Sequence, residues 1–219
     1  MAIPVKTISD FKSALAGGGA RPNLFEVTID DFPSVVSDAW NNDLQSELQF
    51  MCKATSLPAS TVAEVPVPFR GRILKVAGDR TFADWTITVI NDEDFLLRTA
   101  FEKWMNAMSN LVDGTGATNP SSYMSDAFVK QLGRSKVGNQ TAQDYGESSV
   151  LRSYRFYDIF PTEVSAIDLS YETTDTIEQF DVTFQMQYFT VSGNTRNADG
   201  LFRIHQLGPH LVNLWSSKY

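Results

Sequence analysis

The sequence predicts a mainly antiparallel β domain with one packed helix. Apolar and polar residues alternate with a period of two at residues 23–30, 84–90 and 178–189, as in half-buried strands. A single long stretch near residue 100 instead repeats its apolar residues at three- and four-residue spacing. No internal repeat or low-complexity run breaks up the 219 residues, so one domain with extensions is expected.

Residues 8–16 place Ile8, Phe11 and Leu15 at helical spacing, with Ser9 and Asp10 near the start, and three glycines at 17–19 stop the pattern. A short helix or an arm is expected there. Residues 23–30 (NLFEVTID) set Phe25, Val27 and Ile29 against Leu24, Glu26 and Thr28, which makes the first strand. Asp, Asn and Ser dominate residues 31–46, together with Pro33, so this reads as a long loop with one turn of helix around 35–40. Residues 47–56 read as the second strand. Pro58, Pro66, Pro68 and Gly71 confine residues 57–71 to a sheet edge or an extended arm, because proline cannot donate to an interior ladder. Strands follow at 72–76 and 84–90, the latter with Trp85, Ile87 and Val89 on one face.

The helix spans about residues 93–111, its stripe formed by Leu97, Phe101, Trp104, Met105 and Met108. Phe101 and Trp104 are its expected core contacts. Asn91 or Asp92 can cap it, and Glu93 and Asp94 suit the positive end of its dipole. A polar loop opens at Asp113. Residues 123–143 alternate weakly around Gly133 and Gly138 and read as irregular or surface loop. Strands resume at 150–160, 164–171 and 178–189.

Twenty-six acidic residues against eighteen basic ones leave a net charge of -8, the opposite of a nucleic-acid-binding footprint. One cysteine, Cys52, excludes a disulfide framework and fits a reducing compartment. The first 19 residues lack the apolar core of a signal peptide, and no run of about 18 apolar residues could span a bilayer. Cytoplasmic synthesis and no membrane contact are expected.

Candidate chemistry is thin. His205 and His210 are five apart, which is not helical ligand spacing, and no second ligand cluster accompanies them. Cys52 has no histidine nearby in sequence to form a thiolate, so core packing is the reading for it. No G-x-S-x-G elbow is present, and neither glycine cluster, at 17–19 or at 114–116, has the lysine or third glycine of a phosphate cradle. The acidic run Asp92, Glu93, Asp94 is explained by helix capping rather than by a hard metal. No cofactor or metal is expected.

Three blocks go further: ARPNLFEVTI at 20–29; residues 50–104, with CKATSLP and VAGDRTFADWTITVINDE; and residues 157–189, with YDIFPTEVSAIDLSYETTDTIEQF. Together, and in that order, they resemble the tail tube proteins of contractile-tailed (myovirus) bacteriophages. The resemblance implies a ring-forming antiparallel β-sandwich or barrel with one flanking helix and no enzymatic activity. Six copies would close into a ring, and rings would stack into a tube that conducts DNA during ejection. Closed symmetry removes free strand edges, and a net charge of about -48 per six copies would let DNA slide rather than stick.

Implied partners are further copies of the chain, the tail sheath protein, the baseplate tube-initiator, and the tape-measure protein and DNA held loosely in the lumen. The implied location is the virion tail, assembled in the host cytoplasm. By position, residues 57–80 resemble the family's inter-subunit arm. Val62, Val65, Val67, Phe69 and Ile73 are its apolar contacts, with Asp79, Arg80 and Asp84 its polar ones. Alternatively Gly78 and Asp79 form a turn chosen for backbone geometry.

The expected division is an N-terminal arm at 1–19, a tube domain at 20–189 and a C-terminal extension at 190–219. The long 31–46 connection and the extension depart from the family pattern, which keeps a baseplate tube-initiator paralogue open. The tube of a phage-derived injection device shares the same features. From another class, an acidic β-sandwich hydrolase or carbohydrate-binding module would need convergent carboxylates or an aromatic platform in a cleft.

Overall fold

Two sheets share one long strand. The computed structural model describes residues 7–15, 19–30, 33–133, 150–196 and 202–207. In chain order the helices are α1 (Ile8–Ala14), α2 (Asn42–Met51), α3 (Leu96–Met108) and α4 (Pro120–Tyr123), with a 3-10 turn at Ser34–Val36. The strands are β1 (Phe25–Asp30), β2 (Cys52–Thr55), β3 (Ser60–Phe69), β4 (Arg72–Phe82), β5 (Trp85–Ile90), β6 (Ser125–Leu132), β7 (Val150–Val164), β8 (Gln179–Gln185), β9 (Tyr188–Arg196) and β10 (Phe202–Leu207). Mainly β, antiparallel and helix-poor, the architecture is the one the alternating segments predict.

The first half of β7 pairs with β6 on one side and β9 on the other, and the ladder continues to β1 and β10. Its last residues, Phe160 to Val164, pair instead with β8, which leads to β5 and β2. Between the halves, Tyr157 and Asp158 bulge opposite the single residue Asp126, and Asp158 takes a positive φ of 53°. A bulge of this kind bends a strand from one sheet into another. The neighbouring chain turns the same corner: the segment read as one strand at 178–189 breaks at Met186 and Gln187, so β8 and β9 lie in different sheets. Strand β9 runs straight across position 190.

The faces enclosed by the two sheets are apolar. Trp85 of β5 stacks on Phe156 of β7 at 4.6 Å and contacts Phe184 of β8 at 5.2 Å. Ile87, Val89, Phe180, Val182, Val27, Ile29, Ala127 and Val129 complete this core, each essentially inaccessible to water. Helix α3 closes one side as its stripe predicts. Phe101 meets Phe184 and Phe180 edge-on, and fully buried Trp104 donates from Nε1 to the Tyr123 carbonyl at 2.7 Å.

Four local expectations are corrected. Residues 42–51 form helix α2, not the tail of a loop and the start of a strand. Asn41 caps it by accepting from the Leu44 N–H at 2.8 Å, and Leu44 and Leu48, one turn apart, are buried. Helix α3 begins at Leu96, later than Glu93, behind Phe95 in the left-handed region; neither Asn91 nor Asp92 caps it. Asn91 instead ties the end of β5 to Glu178.

The segment at 123–143, expected to be irregular, contains β6, a strand between β1 and β7. Its core side chains, Ser125, Ala127 and Val129, are too small to give a strong alternation. Residues 165–171 are not a strand: the ladder stops at Val164, and 165–178 form an irregular connection.

Candidate assembly interface

The arm expected at 57–80 is a β-hairpin that stands apart from both sheets. Among the described residues β3 and β4 pair only with each other, from Ser60 opposite Phe82 to Phe69 opposite Arg72. The two-residue connection, Arg70 and Gly71, has positive φ at both positions, 45° and 81°. That is the mirror-image turn whose twist matches a hairpin, and glycine takes its second position without strain. At the root, the Ala83 N–H donates to the Ala59 carbonyl at 3.1 Å and Phe82 packs edge-on against Phe189 at 5.4 Å.

The prolines blunt one edge of the ribbon. Pro66 and Pro68 remove donors from the outward edge of β3 that a third strand would need, whereas the outward edge of β4 carries no proline and keeps its donors. Inside β4, Gly78 and Asp79 form a bulge opposite Ala63 rather than a turn. A Cβ on Gly78 would sit 3.0 Å from Val65 Cγ2 and 3.1 Å from the Ala63 carbonyl, so a side chain there would crowd the paired strand.

Every residue of β3 is exposed, and nearly all of β4. Paired residues share a face, so Val65, Val67 and Phe69 lie with Val76, Leu74 and Arg72, a continuous apolar strip. Ile73 lies on the other face with Pro68. The candidates thus divide between two faces. Phe69 and Ile73 are about two-thirds exposed, and Val62, Val65 and Val67 close to half. Leu74 and Val76, not singled out from the sequence, belong to the same strip.

A two-stranded ribbon is at best marginally stable in water, and this one offers seven large apolar side chains to solvent. Covering what remains exposed of each is worth roughly 1 kcal/mol per side chain.

The polar candidates are exposed and dispersed. Arg80 is the cross-strand partner of Val62, and Asp79 sits in the bulge. Asp84, outside the hairpin, accepts a hydrogen bond from Gln185 Nε2 in its own sheet. One ion pair crosses the ribbon, Lys75 to Glu64 at 2.8 Å. At the ends of the sheet path, β1 and β2 each have one ladder edge unpaired among the described residues, as further surfaces for chain–chain pairing.

Among the described residues, those considered for chemistry form no cluster. Cys52 is buried and its thiol is pushed up to about 12 by burial, which makes it inert at neutral pH. His205 lies on β10, and His210 falls outside the described residues. Among the described residues no group of three His, Cys, Asp or Glu side chains is placed to hold a metal ion, and no helix is long and apolar enough to cross a membrane.

The family model described as phage tail tube protein matches residues 20–192. Tail tube protein gp19 of Enterobacteria phage T4 is 33% identical over 174 residues, covering 80% of this chain and 93% of the relative. The tail tube protein of Serratia phage KSP90 is 26% identical over 193 residues, covering 87% and 99%.

Among solved structures, the anti-feeding prophage tube terminating cap aligns with a TM-score of 0.54 at 15% identity, covering 88% of this chain and 96% of that one. The sheath-tube complex of an extracellular contractile injection system, PVC, gives a TM-score of 0.50 at 13% identity, covering 83% and 97%. These two show a shared fold.

Proposed function

The chain belongs to the phage tail tube protein family, a family of virion structural proteins and not of enzymes, and from that premise we propose that it is the repeating subunit of a contractile tail's tube. Six copies close into a ring through sheet edges such as those of β1 and β2, and rings stack through the hairpin at 60–82. The observation that carries this reading is the hairpin itself: an apolar ribbon that pairs with no other strand among the described residues finds its partner in another copy. The inter-subunit residues are Val62, Val65, Val67, Phe69 and Ile73, joined by Leu74 and Val76, with Asp79, Arg80 and Asp84 at the margin.

With a net charge of -8 per copy, the lumen repels the DNA backbone and lets the genome pass during ejection. The sheath surrounds the tube, the initiator starts it at the baseplate, and the tape-measure protein and DNA occupy the bore. Assembly takes place in the host cytoplasm, on a tube domain that starts at 20 and, because β9 crosses position 190, takes in the first part of the 190–219 extension, with the 1–19 arm outside it.

Electron microscopy of the purified chain tests this. Hollow tubes with six-fold rings are the expected result, and a protein that stays monomeric at every concentration and salt would sink it. Counting copies in a virion separates a tube subunit, present in many copies, from an initiator, present in few.

A further inference from the structure

The hairpin and the connection at 165–178 lie at opposite ends of one pair of strands. β5 begins at Trp85, just after the hairpin's last residue, Phe82, and ends at Ile90, opposite Gln179, where the 165–178 connection enters β8. There the Asn91 N–H donates to the Glu178 carbonyl at 2.9 Å and Asn91 Nδ2 to Glu178 Oε2 at 3.0 Å. Six residues of strand separate the two ends by about 17 Å.

The two surfaces are opposite in charge and alike in being apolar. The hairpin carries Arg70, Arg72, Lys75 and Arg80 against Glu64 and Asp79, a cationic element on an acidic protein. Lys75 is held by Glu64, and Arg70 and Arg72, at the tip, have no salt bridge among the described residues. The 165–178 connection carries Asp168, Glu172, Asp175 and Glu178 and no lysine or arginine. None of these carboxylates has a salt bridge among the described residues either.

The nearby cations are engaged elsewhere: Lys53 donates to Gln179 Oε1, and Arg98 pairs with Glu102 while donating to the Ser165 carbonyl. Between the carboxylates, Leu169, Tyr171 and Ile177 are exposed, Tyr171 completely.

We propose that the 165–178 connection of one copy receives the hairpin tip of a second copy, with Arg70 and Arg72 meeting Asp168 and Glu172, and Phe69 and Leu74 covering Leu169 and Tyr171. This rests on the tube reading above and names the two surfaces that stack its rings. Because they leave opposite ends of the same strand pair, the contact is head-to-tail. It repeats from copy to copy without closing, as an open tube requires. The charge pairing also sets polarity, since hairpin against hairpin or connection against connection brings like charges together.

Charge reversal tests the pairing in the full chain, with assembly read by ultracentrifugation and electron microscopy. Arg70→Glu with Arg72→Glu, and separately Asp168→Lys with Glu172→Lys, are expected to lower pelletable tube by about ten-fold or more while leaving the thermal melt unchanged. All four changes in one chain are expected to restore tubes. As a second measurement, Arg70→Cys with Asp168→Cys is expected to give a ladder of covalent multimers on a non-reducing gel, the native Cys52 being buried. Wild-type assembly by both reversals, no recovery in the fourfold variant, or no ladder from assembled double-cysteine protein each overturns the pairing while the tube reading stands. A wild-type chain that forms no polymer overturns both.

Discussion

Arg155 grips Asp126 through two N–H···O bonds to a single oxygen, 3.1 Å from Nε and 2.7 Å from Nη2. The other carboxylate oxygen accepts the backbone N–H of Asp158 at 3.1 Å. One side chain therefore pins both the strand and its bulge at the point where β7 passes between sheets, and the shared carboxylate holds the Arg155 guanidinium still more firmly protonated.

Asp126→Ala is expected to destabilise the fold by about 1–3 kcal/mol, because it removes a charged acceptor from two partners at once. Asp158→Gly, by contrast, should be neutral or slightly stabilising, since the positive φ suits glycine, and Asp158→Val should cost about 1–2 kcal/mol. Urea denaturation of the three variants checks the ordering. Equal stabilities would show that the corner is not held by this carboxylate.

Trp104→Ala should cost about 3–5 kcal/mol through the cavity left between α3 and the sheet, and it strands the Tyr123 carbonyl as well. Assembly then fails because the subunit unfolds. A Trp104→Ala protein that melts like the wild type would be incompatible with this packing.

Replacing residues 61–81 by Asn-Gly should leave a folded domain that forms no tubes. Ser60 and Phe82 are already cross-strand partners, so a two-residue turn can join them, and the Phe82 contact with Phe189 is kept. Circular dichroism and electron microscopy decide the matter. Normal tubes would remove the hairpin from the interface, and global unfolding would make it part of the domain's own stability.

Glu47 has one carboxylate oxygen buried without a hydrogen-bond partner, and burial, then the charges of Asp92 and Asp94, raise its pKa above 4.5. A carboxyl whose pKa is raised by folding contributes stability below its unfolded pKa and loses it as pH climbs through the folded value. Glu47→Gln should accordingly raise the Tm at pH 7, with the gain fading as the pH falls below about 4.5. Melting curves from pH 3 to 8 report this, and a gain that grows on acidification would refute the sign.

Cys52 should resist alkylation in the folded protein at pH 8 and react at once in denaturant, because burial holds the thiol protonated up to about 12. The same shift predicts that stability contributed below the unfolded thiol value of 9.0 is lost between there and about 12. Mass spectrometry after brief iodoacetamide treatment is the direct readout.

Periodicity alone determined the strands with large alternating side chains: Trp85, Ile87 and Val89 in β5, and Phe180, Val182 and Phe184 in β8, all buried as expected. It also determined the face that α3 turns inward, and the prolines determined that residues 60–69 would not be an interior strand. These features are local, since they follow from backbone geometry and the size of each residue's own side chain.

Helix α2 was legible too, in Asn41, Leu44 and Leu48 at capping and one-turn spacing, but the Asp, Asn and Ser around them imitated a loop. Tertiary structure alone decided the remainder. Ser125 and Ala127 are buried, and nothing in their own size or polarity marks them as core. Leu169 and Tyr171 alternate like a strand, yet among the described residues no strand pairs with them. The single apolar run at 178–189 became two strands because a bulge in β7, held by a carboxylate from β6, turned the sheet there. Which residues lie opposite one another is set by contacts distant in sequence, and no local pattern encodes it.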